Sequence, residues 1–307
     1  MPCYKPLDAW LWKNVKTANG KKLITFDDKQ GKPSSEREVV HLPCGQCIGC
    51  RLEKSRQWAC RCIHESQLYD DNCFITLTYN DKYVPRDGSL DKSHFQKFMK
   101  RLRKAYGSGI RFFHCGEYGE LLQRPHYHAC IFNFDFPDKQ LFSERDGIRL
   151  YTSEVLNKLW SHPKTKESMG FCTIGDVTFE SAAYVARYVL KKVNGKEKDA
   201  HYGGKCPEYV TMSRRPGIGK KWFEKFKNSV YPDDYIVIRN NVLCKPPKYY
   251  DSLYDLTEPE KCASIKEGRK LKASSCPDNQ PDVFYDRLSD REKVQLAKAQ
   301  ILERNLE

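Results

Sequence analysis

No apolar run in the 307 residues approaches the roughly eighteen needed to span a bilayer, and no basic stretch near the N-terminus leads into an apolar one. Membrane helices and secretory leaders are thereby set aside, and a soluble, cytoplasmic protein is expected. Internal repeats and low-complexity tracts are also missing, which sets aside solenoids and repetitive segments. A further absence concerns energy. There is no G-x-x-x-x-G-K-[ST] loop to cradle nucleotide phosphates, and GIGKKW (Gly217–Trp222) has the wrong spacing for one.

What the chain holds in excess is positive charge. Lys and Arg number 53 against 40 Asp and Glu, a formal net charge of +13, and such a surface attracts polyanions, nucleic acid above all. Fourteen cysteines would mean a disulfide framework in a small secreted chain. In one of this size without a leader they read as free thiols and metal ligands. The length suits one large domain with appendages or two modest ones.

Four segments are expected: a Cys-rich stretch (1–64), a central core (65–195), a basic extension (196–250) and a tail (251–307) whose end, Asp286–Glu307, reads as a helix. In the first, Gly20, Gly31 and Pro33 break any pattern, so it reads as irregular up to PCGQCIGC (Pro43–Cys50). Arg51–Tyr69 lacks Gly and Pro and spaces Leu52, Trp58, Cys62 and Ile63 as a helix does. CFITLTYN (Cys73–Asn80) alternates like a strand, and Asp91–Tyr106 sets Phe95, Phe98, Met99 and Leu102 on one helical face with basic residues opposite.

Ile110 onward (IRFFHCGEYG) and His126 onward (HYHACIFNF) read as two strands that can pair as a hairpin through GELLQRP. A helix near Ser153–Trp160, a strand from Phe171 and a helix over Phe179–Val193 complete a β-α-β-β-α-β-α order. The expected fold is α+β, an antiparallel sheet flanked by helices in the ferredoxin-like manner. Beyond Asn194 the pattern weakens into loops.

Within RPHYHACIFN (Arg124–Asn133), His126 and His128 are two residues apart on a strand, so both project from one face while Tyr127 turns to the other. Two imidazoles need a third ligand to hold a metal, and the neighbouring strand and loop offer Glu117 and Glu120. An N/O set of this kind leaves coordination positions open for a phosphate oxygen and suits Mn²⁺ or Mg²⁺ without excluding zinc. Taken alone, HxH reads more readily as a half-buried strand with hydrogen-bonded histidines than as a metal site. Tyr184 and Tyr188, four residues apart in AAYVARYVLKK, lie one turn apart on a helix, either as a packed stripe or as paired nucleophiles. Arg187, Lys191 and Lys192 beside them are candidate phosphate contacts.

FITLTYN, RPHYHACIFN and YVARYVLKK, in this order, resemble the three motifs of the HUH endonucleases that initiate rolling-circle replication. PCGQCIGCRLEKSRQWACR, HCGEYGE and MSRRPGIGKKWF extend the likeness, over most of residues 40–250, to the replication initiation proteins of gokushovirus-type microviruses. The resemblance implies an HUH endonuclease fold, His126, His128 and Glu117 as metal ligands in preference to Glu120, and Tyr184 and Tyr188 as the nucleophile pair. It implies nicking of one strand at an origin, a 5′-phosphotyrosine and a free 3′-hydroxyl, in the cytoplasm of the bacterial host. The implied partners are single-stranded and replicative-form phage DNA, with a host helicase and DNA polymerase. Two other readings remain: a non-catalytic zinc-containing DNA-binding protein, and a relaxase- or transposase-like enzyme of the same superfamily.

Cys44, Cys47 and Cys50 follow C-x₂-C-x₂-C, one thiol short of a closed tetrahedral site. Cys3, Cys60, Cys62 and His64 are candidates for the fourth position, and Cys3 would staple the N-terminus down. Structural zinc, an iron–sulfur cluster and unliganded thiols all fit the spacing, zinc being the preferred reading. Cys73, Cys115 and Cys130 read as small buried hydrophobes. Arg214, Arg215 and Lys220 in the basic stretch are candidate DNA-backbone contacts, the alternative being a solvated charge run.

Overall fold

The fold is described by a computed structural model over residues 3–18, 20, 22–26, 36–119, 122–191, 198–238, 241–276 and 281–302, with side chains at 188–191, 198, 281–286 and 300–302 excluded. It divides into two compact units, Met1–Lys54 with Lys266–Glu307, and Ser55–Ile265.

The first unit contains strands β1 (Leu7–Lys16), β2 (Lys22–Thr25) and β3 (Arg37–Leu42), paired antiparallel in the order β2-β1-β3. This replaces the irregular stretch expected from sequence. The reason lies in the burial: within these strands only Ala9 and Arg37 are buried, so no apolar alternation marks the pleat. Pairing is by backbone, helped by the Arg37 guanidinium lying 4.6 Å from the Trp10 ring and 5.5 Å from that of Trp12. Helix α1 (Ile48–Ser66) follows, three residues earlier at each end than the expected span.

The second unit is built around a sheet formed by β4 (Asn72–Leu77), β5 (Arg111–Tyr118), β6 (Pro125–Phe132), the hairpin β7 (Gln140–Arg145) and β8 (Ile148–Thr152), β9 (Cys172–Gly175) and β10 (Tyr209–Met212). Its order is β10-β5-β6-β4-β9-β8-β7, antiparallel throughout. Helices α2 (Lys92–Tyr106), α3 (Glu154–Leu159), α4 (Phe179–Lys191), α5 (Lys198–Tyr202), α6 (Lys220–Val230) and α7 (Lys248–Thr257) accompany it, with a short pair β11 (Ile236–Val237) and β12 (Leu243–Cys244). Helices α8 (Pro259–Ser274) and α9 (Pro281–Leu302) end the described chain.

The α+β expectation holds, with more strands than the sequence displayed. The β7–β8 hairpin has no fully buried residue, so it too lacked an apolar pattern. β10 joins the sheet by pairing Tyr209–Met212 with Phe113–Gly116.

Side-chain alternation along β6 sends alternate residues to two different cores. Tyr127, Ala129 and Ile131 meet Phe95, Phe98, Met99 and Leu102 of α2, Leu156 of α3 and Trp160. Cys130 and Phe132, with Phe113 and Cys115 of β5, meet Ala59 and Cys62 of α1 and Ala182, Val185 and Ala186 of α4. Helix α2 starts where Asp91 accepts a hydrogen bond from the Ser93 amide at 2.8 Å, an N-cap that satisfies one orphan donor. Its four apolar residues are all buried, each stabilising the face by about 1.5–3 kcal/mol. A third core, around Phe223, Tyr231, Tyr250 and Tyr254, packs α6 against α7.

Candidate active site

The pairing of β5 with β6 places Glu117 directly opposite His126, and Cys115 opposite His128. His126, His128 and Glu117 therefore emerge from the α4-facing side of the sheet, while Tyr127 points away, its hydroxyl donating to the Asp91 carbonyl at 2.9 Å. Glu117 Oε1 lies 2.7 Å from Nε2 of both histidines, and the three ligand groups all lie within 4.8 Å of one another. The carboxylate is 1% exposed, while His126 keeps 19% of its side chain open to solvent, so the cluster is buried but has a mouth.

The tautomers decide what such a cluster can hold. His126 Nδ1 sits 3.1 Å from the Arg124 carbonyl oxygen, which can only accept, so Nδ1 carries the proton. In a neutral ring Nε2 then has a bare lone pair aimed at a carboxylate oxygen. Two lone pairs at 2.7 Å need a cation between them, either a shared proton or a metal ion. His128 Nδ1 is oriented by the Thr76 hydroxyl at 3.0 Å. Glu117 Oε2 is buried with no hydrogen-bond partner among the described residues, leaving an oxygen for a second bond to the same cation. The donor set, two imidazoles and a carboxylate, thus fits a divalent metal.

Burial pushes the Glu117 carboxyl up, and hydrogen bonds and charge from His126 and His128 outweigh it, so its pKa lies below the ordinary value. Burial pushes His128 down despite the pull of Glu117, favouring the neutral ring that can ligate.

Above the cluster, α4 supplies Tyr184. Ala182, Val185 and Ala186 bury one face of the helix in the core, and Tyr184, half-buried, turns toward the histidines. Its ring lies edge-on to His128 at 5.1 Å, and its hydroxyl donates to Glu117 Oε1 at 3.5 Å. The Arg187 guanidinium is 5.8 Å from the same ring. Tyr188 and Lys191 lie on α4 with side chains outside the described residues, as do Lys192 and Glu120 entirely.

The basic stretch stands elsewhere. Ser213 follows β10 and exchanges hydrogen bonds with Phe112. Because the register runs Tyr209↔Gly116 to Met212↔Phe113, Arg214 and Arg215 lie at the opposite end of β5 from Glu117. Both are exposed, and Lys220 forms an ion pair with Glu224 at 3.6 Å. The loop beneath them is bolted down by residues the sequence did not single out. Arg111 joins Glu65 at 2.5 Å and donates to the Pro216 carbonyl at 2.7 Å. Glu65 accepts from the Gly219 amide at 2.6 Å, and Arg61 donates to the Ile218 carbonyl at 3.0 Å. Trp222, Tyr249 and Tyr250 serve packing. Tyr250 is fully buried, Trp222 stacks on His64 at 3.5 Å, and Tyr249 covers Arg61 at 3.9 Å.

Cys3, Cys44, Cys47 and Cys50 come together in the first unit, their sulfurs within 4.8 Å of one another. The other fourth-ligand candidates are engaged in different places: Cys60 lies 4.0 Å from Cys244, Cys62 is in the α4-facing core, and His64 bonds Tyr250 at 2.9 Å. Cys73, Cys115 and Cys130 are fully buried, as expected for small hydrophobes. No helix among the described residues is long and apolar enough to cross a membrane.

The profile of a family described as Replication-associated protein ORF2/G2P matches residues 72–193, which hold the whole histidine and tyrosine cluster. The chain is 36% identical over 290 residues to Replication-associated protein VP4 of Bdellovibrio phage phiMH2K, covering 91% of this chain and 85% of that protein. It is 32% identical to Replication-associated protein ORF2 of Spiroplasma virus 4, over 82% of this chain and 79% of that one. Replication-associated protein ORF4 of Chlamydia phage 1 is 29% identical over 75% of this chain and 57% of its own length. No solved structure matches.

Proposed function

The chain belongs to the family of phage replication-associated proteins, and from that premise we propose that it initiates rolling-circle replication of a small phage genome by nicking and rejoining one DNA strand. The observation that carries this reading is the Tyr184 hydroxyl, 3.5 Å from the Glu117 oxygen that both histidines face. His126, His128 and Glu117 would hold Mg²⁺ or Mn²⁺, which when bound polarises the scissile phosphate.

The residues of the chain then do the following. Tyr184 presents its phenol oxygen to the phosphorus. A Tyr184 O–P bond forms, the P–O3′ bond breaks, and the phenol proton passes to the departing 3′ oxygen. The 5′ end stays on the protein and the 3′-hydroxyl is free to prime synthesis. A phosphodiester is exchanged for a phosphotyrosine, so rejoining needs no nucleotide hydrolysis. Tyr188, one turn along α4, would attack the regenerated origin after a full round, the two tyrosines exchanging roles. Thr76 and the Arg124 carbonyl hold the imidazoles in the ligating tautomer. Arg187, Lys191 and Lys192 would grip phosphates near the cut, Arg214 and Arg215 would grip the backbone about 17 Å away, five strand residues along β5, and Lys220 at the start of α6 would add a further backbone contact.

On this reading residues 65–195 carry the chemistry and 196–250 extend the DNA contacts. The partners are single-stranded and replicative-form DNA in the bacterial cytoplasm, with a host helicase and polymerase supplying unwinding and synthesis. The test is incubation of the protein with Mn²⁺ and the circular single-stranded form of its own genome. A covalent adduct at a DNA 5′ end should survive denaturation, disappear with chelator, and disappear in the Tyr184→Phe/Tyr188→Phe double variant. An adduct formed by that double variant overturns the nucleophile assignment, and binding without any adduct returns the chain to a non-catalytic DNA-binding role.

A further inference from the structure

We propose that Cys3, Cys44, Cys47 and Cys50 form a closed tetrathiolate zinc site whose role is to hold together the β1–β3 unit, independently of the Glu117 cluster. Three observations carry it. The first is distance. Cys3 and Cys47 sulfurs are 4.0 Å apart, twice the length of a disulfide, and close to the roughly 3.8 Å between sulfurs placed tetrahedrally around zinc at about 2.3 Å. All four sulfurs satisfy the same spacing within 4.8 Å.

The second is the direction of the backbone amides. Cys3 Sγ accepts from the Cys44 amide at 3.3 Å, and Cys47 Sγ accepts from the Tyr4 amide at 3.3 Å. Cys44 Sγ accepts from the amides of Gln46 at 3.4 Å and Cys47 at 3.3 Å. Amides aimed at sulfur stabilise thiolate charge, and four thiolates around one Zn²⁺ leave a net charge of −2 that needs such donors. Gly45, at φ +74°, makes the turn that brings two of them onto Cys44.

The third is what the unit lacks. Its three strands bury two residues, Ala9 and Arg37, which is far too little apolar surface to offset the entropy of ordering them. A metal joining Cys3, just before β1, to Cys44 just after β3 and to Cys47 and Cys50 at the start of α1 ties both edges of that segment at one point. Zinc is favoured over an iron–sulfur cluster because the thiols lie around a single tetrahedral centre, with one tight turn between Cys44 and Cys47.

The full chain, purified under reducing conditions and dialysed against a weak chelator, should retain one zinc per molecule by elemental analysis. His126→Ala should still retain it, which separates this site from the other. Cobalt substitution should give the intense visible bands of a tetrahedral thiolate site. Cys3→Ser and Cys50→Ser should lose the metal, Cys276→Ser should keep it, and Cys3→His should keep it with a shifted cobalt spectrum, a rescue that a purely packing role for Cys3 does not produce. Substoichiometric zinc in the wild type, retention in both serine variants, loss in Cys3→His as in Cys3→Ser, or a brown iron-containing chromophore overturns the proposal.

Discussion

Glu117, His126 and His128 sit on a sheet with a complete apolar core on each face, whereas Cys3, Cys44, Cys47 and Cys50 sit beside strands with almost none. In the first case the scaffold holds the ligands. Strand register alone sets Glu117 against His126, and the packing of α4 sets Tyr184 over both. In the second case, on the zinc proposal, the ligands would hold the scaffold, because strands without a core gain little by pairing unless something fixes their ends. If both proposals hold, the difference teaches that similar ligand clusters can stand on opposite sides of the energetic balance, one carried by the fold and the other supporting it.

The sharpest way to break this comparison is to remove one ligand from each. His126→Ala should cut nicking by several kcal/mol of lost phosphate polarisation, on the order of 10²–10⁴-fold, while the midpoint of thermal unfolding moves by no more than about 3 °C. A comparable unfolding shift with activity retained would reverse the roles assigned to the two clusters. Removal of zinc with a strong chelator, or Cys47→Ser, should raise amide hydrogen exchange in β1–β3 by about 10²-fold or more and leave β4–β6 protected. Equal loss of protection in both sheets would mean that the cysteines support the whole chain.

Smaller effects sharpen the same contrast. Thr76→Val keeps the shape of the side chain but removes the group that orients His128, so Mn²⁺ affinity, read by titration of nicking activity, should fall about 10–100-fold. Arg214→Ala combined with Arg215→Ala should lower the dependence of single-strand affinity on salt by about 1.4 in log–log slope, two phosphate contacts at about 0.7 each. An unchanged slope would assign both arginines to solvent.

Acidification probes the packing of the second unit. Burial pushes the His64 pKa down to about 3, so the unfolded chain, titrating near 6.5, binds a proton that the folded chain refuses. The stability this neutral ring allows is fully present above pH 6.5 and is lost as pH falls toward 3. His64→Gln should flatten the fall in melting temperature between pH 6.5 and 4.

The features that were legible in the chain are those whose signal is local. His126 and His128 share a face because any strand has a period of two, and the α2 face and the Tyr184–Tyr188 spacing follow from the helical period in the same way. The resemblance of FITLTYN, RPHYHACIFN and YVARYVLKK to one family was likewise local, and the family holds. Elements with exposed faces were not legible: β1–β3 and the β7–β8 hairpin carry no apolar alternation because neither face is buried. Nor were the anchors of the basic loop. Glu65 and Gly219 are 154 positions apart, and Arg111 and Pro216 are 105 apart, with no periodicity linking them.

By itself, then, the sequence determined which residues could share a face, how many ligand atoms each segment offers, and which polymer the surface charge attracts, because these depend only on backbone period and side-chain chemistry. Tertiary structure alone decided that Glu117 meets both imidazoles at one oxygen, that Tyr184 reaches that oxygen, and that Cys3 joins a triplet 41 residues away. Those juxtapositions are set by hairpin register, by the seating of α4 on the sheet and by the return of the chain from β3 to the start of β1. The seating of Tyr184 over Glu117 and the meeting of Cys3 with Cys44 and Cys47 are contacts between residues 67 and at least 41 positions apart, and their free energy comes from burial that no local window of residues contains.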